Sequence, residues 1–136
     1  MRDEMKIIRI VSNYYDTKIL DERNLKSQKR DIVTPRQIAM HLIKKYTRLS
    51  LQQTGKIFNK DHSTVLHSKK TITNLALVDK KFNKELLELN VIIRTQIYIS
   101  KDLKDLLIYD IILELDKMNV ESVSKIAKII IAETPN

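Results

Sequence analysis

Cysteine and tryptophan are absent from this chain, glycine occurs once and proline twice. Without cysteine there is neither a disulfide framework nor a thiolate zinc site. A single glycine leaves no glycine-rich loop to cradle a phosphate, and no serine, threonine or cysteine nucleophile stands beside an evident base. The histidines are His41, His62 and His67, at spacings that suit no familiar metal site. These absences predict a protein that is not an enzyme and holds no cofactor or metal. No apolar run approaches the ~20 residues that span a bilayer, and the opening MRDEMKII is too charged for a signal peptide, which together predict a cytoplasmic location.

What the chain does have is leucine, isoleucine and lysine. Apolar residues make up 43% of 136 positions, enough for one small domain with an extension. So few breakers predict an all-α fold with short loops. The net charge of +8 is unevenly spread: residues 1–74 carry 16 Lys and Arg against 7 Asp and Glu, whereas the remainder carries 9 against 10. A basic excess confined to one half is the footprint of a polyanion-binding surface, although a solubilising lysine-rich surface has the same composition.

Capping chemistry divides residues 34–75 into three helices. Thr34, Pro35 and Gln37 combine a hydroxyl N-cap, a proline suited to the first helical position and a glutamine that reaches back, so a helix is expected to begin at Pro35. Ile38, Ala39, Leu42, Ile43 and Tyr46 form its buried face. Ser50 and Gln53 make a second capping box, opening a helix with Leu51, Gly55 and Phe58 inward. Gly55 inside a helix costs about 1 kcal/mol relative to alanine, which predicts that another helix crosses closely there. Asn59 and Lys60 form a short turn, and Asp61 caps a third helix through Leu75. On that helix Val65, Ile72, Leu75 and Ala76 face inward, and Ser63, His67, Lys70 and Asn74 face outward. Two helices, a tight turn and a polar-faced second helix make a helix-turn-helix.

Around this motif the periodicity predicts a helix from about Arg2 to Tyr15, with Ile7, Ile8, Val11, Tyr14 and Tyr15 inward, and a short one near Asp21 to Lys26. A long helix over Asp79 to Ser100 turns Phe82, Leu86, Leu89, Ile93 and Ile97 inward. Two further helices, Lys101 to Lys117 and Val120 to Ala132, carry apolar stripes: Leu103, Leu106, Leu107, Ile111 and Leu115, then Val123, Ile126, Ala127, Ile130 and Ile131. Stripes of this size need cover, either from the domain's own core or from a second copy or protein partner contacting residues 101–132.

The segments PRQIAMHLIKKYT and FNKDHSTVLHSKKTI resemble the C-terminal DNA-binding domain of DnaA, the bacterial chromosomal replication initiator. The resemblance continues more weakly from about Ile7 (IIRIVSNYY) to about Ile97 (VIIRTQI). It implies a helix-turn-helix DNA-binding domain over residues 1–98 and a C-terminal helical extension over 99–136, in a protein of a bacterium or of a virus that infects one. The family's turn reads FGGRDH where this chain has FNKDH, and its Ile-Gly pair is Thr54-Gly55 here. Its minor-groove arginine falls at Gln28, flanked by Lys29 and Arg30.

The resemblance further implies that the partner is double-stranded DNA carrying a DnaA-box-like site. Asp61, His62, Ser63 and Thr64 then approach base edges, with His67 one turn further on. Candidate phosphate or minor-groove contacts are Gln28, Lys29, Arg30, Arg36, Lys44, Lys45, Ser50, Lys56 and Lys60, of the kind that fix register without reading sequence. The family's initiator uses a separate ATPase module with no counterpart in this sequence, so ATP hydrolysis is not expected. The implied role is in replication initiation or its regulation. The alternative is a helical interaction adaptor or phage transcriptional regulator that keeps the fold but not DnaA-box specificity.

Overall fold

The structure, a computed structural model, describes residues 2–98 and 120–133. The described elements are all helices: α1 (Asp3–Tyr15), α2 (Glu22–Lys26), α3 (Arg30–Tyr46), α4 (Leu51–Ile57), α5 (His62–Val78), α6 (Lys80–Tyr98) and α7 (Val120–Glu133). They fall into two compact units, Met1–Asn83 and Lys84–Asn136. The helix expected over Lys101 to Lys117 lies outside the described residues, as do the side chains of Val123, Ala127, Ile130 and Ile131. Among the described residues, no helix is long and apolar enough to cross a membrane.

In the first unit α3 is the central element, packed against α1, α4 and α5. Ile38, Ala39, Met40, Leu42 and Ile43 of α3 are fully buried, as are Ile7, Ile10 and Val11 of α1, Phe58 after α4, and Val65 and Ile72 of α5. Complete burial of one such large side chain contributes about 1.5–3 kcal/mol, so this cluster is the main source of the unit's stability. Helix α1 stops where Asp16 turns left-handed (φ 50°) and the Thr17 amide returns to the Ser12 carbonyl at 2.9 Å. That closure satisfies carbonyls the helix would otherwise leave open.

The start of α3 differs from the expectation. The helix begins at Arg30, with Lys29 as its N-cap and Pro35 inside it. The Thr34-Pro35-Gln37 signal does not set the start, and Pro35 sits in the helix although it has no amide to give the carbonyl four residues before it. The amides of Ile32 and Val33 both bond to the Lys29 carbonyl, at 3.0 and 2.8 Å, which places the true first turn upstream. Helix α5 also outruns its expected end at Leu75, reaching Val78 and leaving Leu77 and Val78 in solvent.

In the second unit α6 was expected to bury one stripe, yet every residue from Glu88 to Ile93 is buried. Two of its buried polar side chains bond along the helix itself: Asn90 Nδ2 donates to the Leu86 carbonyl and Thr95 Oγ1 to the Val91 carbonyl, both at 2.8 Å. Glu88 faces Lys125 of α7 at 3.7 Å, and α7 buries Ser122 and Ile126. Over Glu88 to Ile93 the helix has no outer face to keep polar, so there its periodicity is weak as a guide, whereas Leu87 just before it is exposed.

Candidate nucleic-acid interface

Helices α4 and α5 are joined by a turn built around two backbone requirements. Ser50 and Gln53 form the full capping box, with the Gln53 amide on Ser50 Oγ at 3.0 Å and the Ser50 amide on Gln53 Oε1 at 2.8 Å. A cap of this kind is worth about 1 kcal/mol and fixes where α4 starts. At the other end Asn59 takes a left-handed conformation (φ 55°), a state asparagine tolerates better than most residues. The chain then doubles back so tightly that the Lys60 amide meets the Gly55 carbonyl at 2.8 Å. A Cβ on Gly55 would collide with the Lys60 carbonyl oxygen and lie 3.1 Å from that of Asp61. What approaches Gly55 is thus the backbone of the turn, where a crossing helix was expected. Of the expected inner stripe, Gly55 and Phe58 are buried, Leu51 is half-buried, and Thr54 is buried beside them.

The turn delivers α5 with its N-terminus capped by a carboxylate. Asp61 Oδ1 accepts from the Thr64 amide at 2.9 Å, from Ser63 Oγ at 2.7 Å and from Thr64 Oγ1 at 3.1 Å. The Ser63 hydroxyl first, then the Thr64 amide and hydroxyl, hold the carboxyl at about 2, below its ordinary 3.8. Asp61 is therefore ionised at neutral pH. Asp61, His62 and Ser63 are exposed and Thr64 is half-buried. One turn on, His67 is exposed, its Nε2 3.3 Å from Thr71 Oγ1. The five candidate base-reading residues thus share the first half of one helix, with Lys70 and Asn74 exposed further along it.

Leu66 was not singled out from the sequence, and at 39% exposure it is a large apolar side chain left on α5 between His62 and Lys70. Residue type alone makes a leucine look like core, but its spacing from Ser63 and Lys70 puts Leu66 on the outward face, and the structure leaves it there. His41 was not singled out either. Burial, then the charges of Lys45 and Lys69, lower its pKa to about 4, so its imidazole is neutral at physiological pH.

The candidate phosphate or minor-groove contacts differ in exposure. Gln28, Lys29, Arg30, Lys45 and Lys56 are exposed; Lys45 Nζ stands 5.3 Å from the centre of the Tyr46 ring. Lys60 is half-buried in the turn, and Ser50 is occupied by its capping box. Lys44 and Arg36 differ from the expectation of surface contacts. Lys44 Nζ donates to the Leu49 carbonyl at 2.5 Å, tying the α3–α4 connection. Arg36 is only 5% exposed, and its guanidinium donates to the carbonyls of Asn24, Leu25 and Ser27. Sequence spacing cannot reveal this, because the acceptors lie 9 to 12 residues upstream in a segment without strong periodicity.

A family model described as the bacterial dnaA protein helix-turn-helix matches residues 5–72. The chain is 42% identical over 89 residues to the chromosomal replication initiator protein DnaA of Bacteroides thetaiotaomicron, covering 65% of this chain and 19% of that protein. The DnaA of Flavobacterium psychrophilum is 41% identical over 87 residues (62% of this chain, 18% of that protein), and that of Chromobacterium violaceum 46% over 74 (54% and 16%). The chain therefore spans less than a fifth of the length of these relatives. The matched residues run from Met5 of α1 to Ile72 of α5 and include the whole turn and cap described above. This protein belongs to the bacterial DnaA helix-turn-helix family.

Proposed function

We propose that this chain is a sequence-specific double-stranded DNA-binding protein acting in replication initiation or its regulation, without ATPase activity of its own. The observation that carries the reading is the N-terminal half of α5, where Asp61, His62 and Ser63 stand exposed on a helix held rigidly by the Ser50 box, the Gly55 contact and the Asp61 cap. A rigid helix with donors and acceptors at its N-terminal end is what a major groove admits. His62, Ser63 and Thr64 are the proposed base readers, with Asp61 and His67 at the margins. Lys29, Arg30, Lys45, Lys56 and Lys60 are the proposed phosphate contacts, and residues 28–30 the proposed minor-groove arm. Arg36 and Lys44 support the surface from within, and Ser50 supports it through its capping box.

In this reading residues 1–98 are the DNA-binding domain, residues 99–136 its extension, and the protein works in the cytoplasm. The extension is the part proposed to meet a second copy or another protein. Light scattering of the full chain over a range of concentrations tests that assignment, and a monomer throughout removes the second copy.

The function is tested by a salt titration of the full chain on two duplexes, one carrying a TTATCCACA-like box and one of random sequence. Specific binding at physiological salt is expected to exceed random binding by at least about 10³-fold. Equal affinity for the two duplexes overturns sequence-specific recognition.

A further inference from the structure

We propose that Arg36 is a positioning residue: from inside the fold it fixes the path of residues 28–30, the arm that carries Gln28, Lys29 and Arg30 to the DNA. The inference rests on the DNA-binding reading above and extends it to a residue that does not itself face solvent.

The segment that needs holding is short of its own support. Helix α2 is 5 residues long and buries no side chain, so it lies well below the length at which an isolated helix persists. Its Asn24 and Leu25 carbonyls, and that of Ser27 just beyond, come at a helix C-terminus, where the only backbone donor is the Ser27 amide, 3.1 Å from the Asn24 carbonyl oxygen. Arg36 supplies the others. Nη1 lies 2.9 Å from the Asn24 carbonyl oxygen, 3.2 Å from that of Leu25 and 3.4 Å from that of Ser27, with Nη2 also 3.4 Å from the last. A planar guanidinium with several donors can serve three carbonyls at once, which a single ammonium does less well.

The hold passes directly to the arm. Ser27, fixed through its carbonyl, accepts the Lys29 amide on its Oγ at 3.1 Å, and Lys29 is the N-cap of α3. Residues 28–30 are exposed, yet they run between two points that are both anchored to α3. Arg36 lies on that same helix, so the arm is referenced to the element packed directly against α5. Swinging Arg36 out to a phosphate would strip the Leu25 and Ser27 carbonyls of this donor, leave Asn24 with the Ser27 amide alone and empty a buried site, a cost no single exposed contact repays. Ordering the arm beforehand lowers the entropy lost when Lys29 and Arg30 engage DNA.

Two measurements on the full chain test this. In the free protein, Arg36→Met should raise amide hydrogen exchange across residues 27–29 by about tenfold or more while α5 amides keep their protection, as expected for loss of a local clamp. On box-containing duplex, Arg36→Met should weaken binding by about tenfold in the otherwise unchanged chain, but by less than about twofold when Lys29 and Arg30 are already alanine, because coupled residues are not additive. Unchanged exchange, or an equal loss in both backgrounds, overturns the positioning role while wild-type binding stands. A wild-type chain that does not bind the duplex overturns the function above and the arm's part in it. If Arg36→Met does not fold, Arg36→Lys takes its place in both measurements, with the same directions expected and a smaller effect.

Discussion

The carbonyl oxygen of Lys60 occupies the space that a Cβ on Gly55 would need. Because the obstacle is backbone, it cannot rotate aside as a side chain would. Gly55 has a negative φ, so its requirement is closeness and not an unusual backbone conformation. Gly55→Ala should therefore destabilise the protein by about 1–3 kcal/mol despite alanine's better helix propensity, the usual cost of overpacking. Denaturant unfolding measures it, and an alanine variant as stable as the parent would mean the turn is looser than described.

The residue beside it makes the opposite prediction. Thr54 is fully buried and its hydroxyl oxygen has no hydrogen-bond partner. Removing an unsatisfied buried hydroxyl while keeping the shape relieves a desolvation cost of about 1–3 kcal/mol, so Thr54→Val should raise stability by about 1 kcal/mol or more. A higher denaturation midpoint with the same m-value is the expected result. A fall in the midpoint would mean the hydroxyl is paired in solution.

Asp61 predicts an acid limb. Its carboxyl is held at about 2 in the fold, against an ordinary value of 3.8, chiefly by the Ser63 hydroxyl and the Thr64 amide. A group with a depressed folded pKa adds stability above its unfolded pKa and loses it as pH falls through the folded one. The cap's contribution should thus be constant from neutral pH to about 4 and disappear between about 4 and 2. Carboxyl NMR titration should find the midpoint near 2, and Asp61→Ala should flatten that part of the stability profile. A midpoint at the ordinary value would show the cap to be open in solution.

His62 tests base readout. His62→Ala should weaken binding to the preferred duplex by about tenfold or more and barely alter binding to random duplex. If both duplexes lose affinity equally, His62 is a backbone contact or a structural residue.

Lys44 and Lys56 should separate cleanly. Lys56 is exposed, so Lys56→Ala should leave stability unchanged and lower the slope of log K against log salt by about 0.9. Lys44 donates to the Leu49 carbonyl, so Lys44→Ala should instead cost stability, by about 1 kcal/mol. Urea titration and binding at several salt concentrations distinguish the two, and interchanged effects would reassign both residues.

Features set by bonds between near neighbours were legible in the sequence. The Ser50–Gln53 box, the Asp61 cap and the short Asn59-Lys60 turn each close within a few residues, and the structure contains all of them. The start of α3 was not legible, because Pro35 is a residue that local chemistry places at a helix start, and the tertiary packing of α3 overrides that preference. Arg36 was misjudged for a related reason: an arginine in a basic half of the chain looks like a surface cation until its upstream carbonyl partners are known. The burial of Glu88 through Ile93 on every side depends on what surrounds α6, which no single-helix period encodes.

The single oxygen Asp61 Oδ1 has a consequence for what α5 offers a base pair. A serine or threonine hydroxyl has one proton to give, and those of Ser63 and Thr64 are both spent on that oxygen. Turned toward a groove, the two hydroxyls present lone pairs only, beside a carboxylate that can do nothing but accept. The tip of the helix is thus a cluster of acceptors, complementary to the exocyclic amino groups of adenine and cytosine and mismatched to the O6 of guanine and the O4 of thymine. Among the side chains at that tip donation falls to His62, beside the first backbone amides of the helix, so in the proposed readout one imidazole decides whether the side chains can address both kinds of base edge.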